Sequence, residues 1–187
     1  VVRPFGDALY PSGLYPWSHV LNPAGVQGQD PGFDPLAVMV QQAHARGLRI
    51  EAWVNPYRVS HAVNGPESLS DDNPAAQSPE WLREVNGSLW YDPGYEQTDL
   101  WVVQGVTEIL QNYEVDGIHL DDYFYPEGAD ETFDEASFAA NNPNGLSLAD
   151  WRLENGNQLV RGVYSAAKAM RPGASFGIRT TGTTGNT

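Results

Sequence analysis

The sequence predicts an α/β fold, a partial (β/α)8 TIM barrel with parallel strands and long βα loops. Three observations carry this. Strand-like and helix-like segments alternate along the whole chain, and such alternation implies parallel strands joined by crossovers. The loops that follow strands are long, whereas the turns from helix into strand take only a few residues. Polar and aromatic residues gather just after the strands, the face on which barrel enzymes carry their chemistry.

Each element follows from its residues. Residues 1–3 end a strand, and a Pro/Gly/Asp loop then runs to Gly32. Asp34-Pro35 opens a helix, with Asp as N-cap and Pro at the first helical position. Leu36, Met39, Val40 and Ala43 repeat at helical spacing, and Gly47 is the left-handed stop. In "LRIEAWVNP", Ile50, Ala52 and Val54 alternate with Arg49, Glu51, Trp53 and Asn55, which describes a strand with one apolar face. A loop from Pro56 to about Gly94 carries Trp81, Trp90 and Tyr91. It is too long to be a mere connection. Residues 96–113 form a helix whose expected inner stripe is Leu100, Val103, Val106, Leu110 and Tyr113. "VDGIHLDDYF" is the next strand, followed by an acidic Asn/Pro-rich loop over 123–146. Ser147 starts a third helix with Asp150 at capping-box distance. Trp151, Leu159, Val163, Ala166 and Met170 are its apolar positions, and "ASFGIR" is a further strand.

A complete barrel takes roughly 250 residues, and this chain has 187. The expectation is therefore one barrel domain over residues 1–187, truncated at both ends. No linker or internal repeat divides it. The formal charge is -14, from 24 acids against 10 bases. That balance excludes nucleic acid and anionic membranes as partners. No apolar run reaches the length of a membrane span. The chain has no cysteine, which removes disulfides, thiolate catalysis and Cys-ligated metal sites. Dinucleotide, P-loop, nucleophile-elbow and zinc-protease signatures are absent, so no cofactor and no metal is expected.

The chemistry concentrates at strand ends. In "GIHLDDY", Ile118 and Leu120 point toward the helices, so His119 and Asp121 point into the barrel, with Asp121 nearest the rim. Asp122 faces the other way or enters the loop, where an acid equally well caps a turn. Asp116, at the opposite end of the strand, is assigned to a turn or cap. "EAWVNPYR" puts Glu51, Trp53 and Asn55 on the interior side, with Arg58 following. Asn and Arg at a rim hold sugar hydroxyls or steady a carboxylate, whereas the deeper Glu51 is a paired interior acid. "RPFGDALYPSGLYPW" supplies Arg3, Asp7, Tyr10 and Trp17 at the first rim. Asp7 equally leads a turn, and any one Trp equally packs a core. Together the loop rings suit stacking on sugars. His44 is a surface or capping residue, His61 lies in a loop and His19 stands near Trp17. The acids Glu127, Asp130, Glu131, Asp134 and Glu135 make a solvated stretch without an EF-hand pattern. Carboxylates, aromatics, Asn and Arg on a parallel-sheet rim fit glycoside hydrolysis, in which two carboxylic acids do the work. A non-catalytic carbohydrate-binding barrel and a metal-dependent hydrolase are the alternatives.

These blocks resemble a known family. "RPFGDALYPSGLYPWS", "DPLAVMVQQAHARGLRIEAWVNPYR", "NYEVDGIHLDDYFYP" and "ASFGIR" are similar, in order and spacing, to blocks of the glycosyl hydrolase-like 10 family from Arg3 to about Ile178. The resemblance implies a TIM-type barrel covered over about its second to fifth strands. It implies a bacterial protein, exported to the cell envelope or outside the cell, that cleaves cell-wall or other polysaccharide glycans. It carries over Arg3, Asp7, Asn55, Arg58, His119, Asp121, Asp122 and Tyr123, with Asp121 in the carboxylate position that serves as nucleophile in related barrels. The chain departs from the pattern at Glu51, where His is expected, and after "FGI", where "RTTGTTGNT" replaces a Ser-Pro and Trp block. The expectation is thus a glycosidase with Asp121 and Asp122 catalytic. Arg3, Asp7, Trp17, Trp53, Asn55, Arg58, His119 and Tyr123 are expected to bind a polysaccharide or glycan substrate. The resemblance does not assign the proton donor.

Overall fold

Two short alternating runs seed the main sheet. The computed structural model describes residues 1–61, 69–121 and 124–179. In β1 (Glu51–Val54), Ala52 and Val54 are fully buried. In β5 (Gly117–Leu120), Ile118 and Leu120 are fully buried, and β6 (Ser175–Ile178) completes the sheet. The order is β1-β5-β6, all parallel. Residues 2 and 3 extend it beyond β1. Val2 N–H donates to the Trp53 carbonyl at 2.8 Å, and Asn55 N–H donates to the Arg3 carbonyl at 3.0 Å. The parallel segments therefore follow one another in sequence order without a reversal. That is winding of the barrel kind rather than the doubly wound kind.

Helices cover the apolar face. α1 (Pro35–His44) begins at Asp34, whose carboxylate accepts from Ala37 N–H at 2.9 Å, and Gly47 beyond it has φ +68°. α2 (Pro74–Gln77) is a single turn capped by Asn73. α3 (Glu96–Asn112) and α5 (Leu148–Met170) pack against each other, where Gly162 stands against Val103. α4 (Glu135–Asn141) lies in the loop before α5. Ser147 accepts from Asp150 N–H at 3.2 Å, as its spacing implies. The buried stripe of α3 is Val102, Val106, Ile109 and Leu110, whereas Leu100 is exposed. The periodicity was satisfied by two adjacent stripes, and packing chose the one shifted around the helix from Leu100. Met39 and Met170 likewise face solvent. Each fully buried Ile or Leu stabilises the fold by roughly 1.5–3 kcal/mol.

The stretch between Pro56 and Gly94, where the sequence predicts a loop, holds its own antiparallel sheet. β2 (Arg58–Ser60), β3 (Leu82–Val85) and β4 (Ser88–Tyr91) lie in the order β2-β4-β3. Asn86-Gly87 turns the hairpin with φ +52° and +75°, the left-handed pair that a two-residue turn needs. Buried acids tie this sheet to the helices. The Asp92 carboxylate meets Arg83 at 2.9 Å and accepts from the Ser137 hydroxyl of α4 at 2.8 Å. Burial raises the Asp92 pKa against the pull of Gly94 N–H, Ser137 and Arg83. Asp134 is fully buried and held by Arg152 of α5 through Nε at 2.8 Å and Nη2 at 2.5 Å. It is thus no part of a solvated stretch, because its arginine offsets the loss of water.

Arg3 corrects another expectation. It pairs with Val54, and paired residues of parallel strands point to the same side, so its side chain runs under α3 rather than onto the rim face. It is fully buried, with its guanidinium 3.5 Å from the Tyr15 ring centroid. Gly105 of α3 leaves the room, since a Cβ there would sit 2.7 Å from Arg3 Nη1.

Asp99 of α3 accepts a hydrogen bond from the Tyr57 hydroxyl. Burial raises its pKa to about 7, opposed by the Tyr57 hydrogen bond and reinforced by Glu96. The folded state therefore favours neutral Asp99. Its contribution to stability is fully present below about pH 4, the ordinary range of an unfolded aspartate, and is lost as pH rises through about 7. Asp99→Asn should track wild type in urea titrations near pH 4 and become relatively more stable up to a plateau above pH of about 7. A pH-independent difference between the two proteins would refute the assignment.

Candidate active site

The face of the sheet opposite the helices carries the residues of interest, and strand register stacks them in layers. Trp53, His119 and Gly177 are register partners across β1, β5 and β6. One step toward the strands' N-terminal ends are Glu51, Gly117 and Ser175. One step toward the C-terminal ends, Asp121 N–H donates to the Val54 carbonyl at 3.3 Å and Arg179 N–H to the Leu120 carbonyl at 3.0 Å, which sets Asn55, Asp121 and Arg179 at the rim.

Glycines on this face decide what fits. A Cβ at Gly117 would lie 2.1 Å from Ser175 Oγ. Its absence lets the Ser175 hydroxyl cross β5 and donate to the Glu51 carboxylate. Glu51 is thus paired with Ser175, as expected, but it is exposed rather than enclosed. A Cβ at Gly177 would lie 2.6 Å from His119 Nδ1, so the imidazole rests on bare backbone. Its other side meets Trp53 edge-on, with ring centroids 6.1 Å apart and 72° between planes. The Trp53 indole N–H donates to Asn55 Oδ1 at 2.8 Å, and Asn55 Nδ2 donates to the Pro4 carbonyl at 3.0 Å. Asn55 therefore orients the indole, and its amide N–H is directed at the chain.

At the rim, Asp121 is buried and its carboxylate stands 3.7 Å from Arg179 Nη1. The pair is asymmetric, since the Asp121 side chain is 11% exposed and that of Arg179 is 73% exposed. An exposed arginine on a long stem can move aside at little cost, and Asp121 shares its strand face with His119 and Trp53. This arrangement can hold a sugar ring against Trp53 and present a nucleophile or base to it.

The structure brings Trp53, Asn55, His119 and Asp121 together. It does not bring Arg3, Asp7 or Trp17 to them. Asp7 is fully buried and accepts from Gln27 Nε2 at 3.2 Å, with His19 Nδ1 at 3.3 Å. Gln27 in turn accepts from Asn73 Nδ2 at 2.9 Å, so Asp7 organises the first long loop. Trp17 is half-buried and bridges to Ala8. Arg58 lies on β2 with its guanidinium 4.8 Å from the Trp90 ring centroid. Asp122 and Tyr123 fall outside the described residues. Asp116 accepts from Ile50 N–H at 2.8 Å and contacts His44 at 3.0 Å, the turn and capping roles expected of both. Ser175, Gly177 and Arg179 were missed, although alternation carried through "ASFGIR" puts all three on the His119 face. Among the described residues no cluster of three or more His, Asp or Glu side chains is arranged to hold a metal ion, and no helix is long and apolar enough to cross a membrane.

Gly177→Ala should destabilise the protein by about 1–3 kcal/mol through overpacking against His119. Gly173→Ala, where nothing lies within 4 Å, should stay within about 0.5 kcal/mol. Urea unfolding of both variants checks this, and equal stabilities would refute the steric role.

Comparison with known proteins places the chain as a whole. The family model described as "Glycosyl hydrolase-like 10" matches residues 1–187. The chain is 40% identical over 180 residues to "Glycosyl hydrolase YngK" of Bacillus subtilis (strain 168), covering 95% of this chain and 35% of that protein. It is 36% identical over 190 residues to "Glycosyl hydrolase DigH" of Escherichia coli (strain K12), covering 97% of this chain and 43% of that one. The chain thus spans well under half the length of either relative. Among solved structures, alpha-L-fucosidase isoenzyme 2 from Paenibacillus thiaminolyticus superposes with a TM-score of 0.60 at 18% identity, over 93% of this chain and 25% of that one. That likeness concerns the fold, a partial (β/α)8 barrel. With its whole length matched by the family model, the chain belongs to the glycosyl hydrolase-like 10 family.

Proposed function

We propose that this chain forms part of a glycoside hydrolase that cleaves a bacterial polysaccharide or cell-wall glycan outside the cell or in the cell envelope. The observation that carries the reading is the position of Asp121. Its carboxylate is buried at the rim, on the face shared by Trp53 and His119. The names of the relatives, both glycosyl hydrolases, support the reaction class.

In this reading Asp121 acts as nucleophile or base, and Trp53 provides the ring on which a sugar stacks. His119, wedged between Trp53 and Gly177, fills the floor beneath the scissile bond. Glycoside hydrolysis requires a second carboxyl group, about 5–5.5 Å away for retention or about 6.5–9.5 Å for inversion. Asp122 is the candidate that the sequence supplies. Strand alternation turns neighbouring side chains apart, so a partner from another strand satisfies the geometry better. Arg179 pairs with Asp121 at the rim, and an incoming glycan displaces the exposed guanidinium.

The test is Asp121→Asn in the full-length protein, assayed on polysaccharide and cell-wall glycan. Cleavage should fall by at least about 10²–10⁴-fold, the range a positioned proton-transfer or nucleophilic group contributes, with unfolding behaviour unchanged. Turnover at the wild-type rate would remove Asp121 from the chemistry. The ion pair with Arg179 at 3.7 Å favours a second reading, a carbohydrate-binding barrel in which that acid is structural. Glycan affinity without turnover, indifferent to Asp121→Asn, would support it instead.

A further inference from the structure

A second concavity lies on the other side of the sheet. It measures about 690 Å³ and sits between the first turn of α3, the end of α4 and the first half of α5. Trp81, Tyr95, Asp99, Asn141, Asn155 and Gln158 line it. Because α3 and α5 cover the Val54 and Leu120 face, this cavity is separate from the Trp53, His119 and Asp121 site.

Its wall mixes side-chain amides and rings with two carboxyl groups, those of Glu96 and Asp99. Asp99 is 7% exposed, lines the space and accepts a hydrogen bond from Tyr57. Asn155 gives its amide N–H to the Tyr125 hydroxyl at 3.1 Å, and Asn141 gives its own to the Gly94 carbonyl at 2.9 Å. Each amide retains its carbonyl oxygen and a second N–H. Gln158 and Gln97 add amides, and Trp81 and Tyr95 add half-buried rings. No lysine or arginine lines the space, which disfavours phosphates, uronates and other anions. A wall of amides and carboxyl groups with flat rings and no cation suits a ligand rich in hydroxyls, which both donate and accept, and carrying apolar C–H faces. The volume suits a few sugar units, since ligand pockets run from roughly 300 to 1,000 Å³.

We infer that this cavity is a second carbohydrate-binding site, which takes a short neutral oligosaccharide segment away from the cleavage site. The inference rests on the reading of the protein as one that acts on glycans, and it adds a place where an uncut part of the chain is held. A polymer engaged at two places gains avidity from their linkage.

The experiment titrates the full-length protein with two neutral tetrasaccharides, one of β-linked N-acetylglucosamine and one of β-linked glucose, by calorimetry and NMR. Asp121→Asn is used as the background so that the sugar is not consumed. The protein should bind two molecules of at least one tetrasaccharide. Gln158→Trp, which fills the cavity from an exposed helix position, should bind one, and Gln158→Ala should weaken the second event by several-fold. A single binding event before any cavity substitution, or two events that survive Gln158→Trp with the fold retained, would overturn the inference. Cleavage of polymer by the unsubstituted protein is scored separately. Its absence alongside loss of one site in Gln158→Trp would sink the hydrolase reading and leave the cavity site standing.

Discussion

A slip of β5 by one residue against β1 would turn Ile118 and Leu120 toward Trp53 and send His119 and Asp121 beneath α3 and α5. The two faces of this strand are therefore a single constraint. Exposing two fully buried apolar side chains loses roughly 3–6 kcal/mol at 1.5–3 each. Burying an imidazole and a carboxylate without partners adds a further penalty. Gly117 and Gly177 tighten the register from the other side. Each is the position at which a neighbouring side chain crosses, Ser175 over one and His119 over the other. A slipped β5 would put a side chain where Ser175 must pass. The same packing that makes the core thus sets Asp121 at the rim.

The loops behind that rim are held by buried ionic contacts. Asp92 joins the β3–β4 hairpin to α4 through Arg83 and Ser137, and Asp134 joins the start of α4 to α5 through Arg152. Ion pairs of this kind add little net stability over apolar packing, but breaking one partner of a buried pair costs about 3–5 kcal/mol. Their effect is specificity of placement. A loop with few apolar residues acquires one arrangement because any other leaves a charge buried alone.

Alternation and helical period were enough to read the barrel architecture, the Trp53, His119 and Asp121 face, the Asp34 and Ser147 caps and the Gly47 stop. The rest failed for identifiable reasons. Asn86-Gly87 between two strand-like runs is a strong hairpin signal, yet the length of the surrounding loop hid the sheet it belongs to. Arg3 looks like a rim residue because arginine is rarely buried. Only its pairing with Val54 and the space at Gly105 reveal that it points under the helix. The α3 stripe was ambiguous because Leu100 and Val103 on one side and Val102, Ile109 on the other both repeat at helical spacing. Arg179 was invisible as a neighbour of Asp121 because its contact depends on the β5–β6 register, a non-local fact.

The two faces of the sheet meet again in the struts between them. Tyr57 follows Asn55 by two positions in the chain, and its hydroxyl reaches Asp99 in the helix-side cavity. Its ring packs edge-on against Phe124, with centroids 6.2 Å apart. Tyr125 begins the loop beyond Asp121, and its hydroxyl accepts from Asn155 in the same cavity. The strand ends that carry Asn55 and Asp121 are therefore each anchored by a tyrosine whose polar tip ends in the cavity wall. A sugar bound there would compete for, or add to, the hydrogen bonds that fix those tips. Differential binding of that kind is what allows one site to bias another. The neutral-favouring environment of Asp99, with its pKa near 7, places one of these anchors at the edge of ionisation under ordinary conditions. The carboxyl group that a ligand would meet is thus the same group that holds Tyr57, and through Tyr57 the start of the loop after β1.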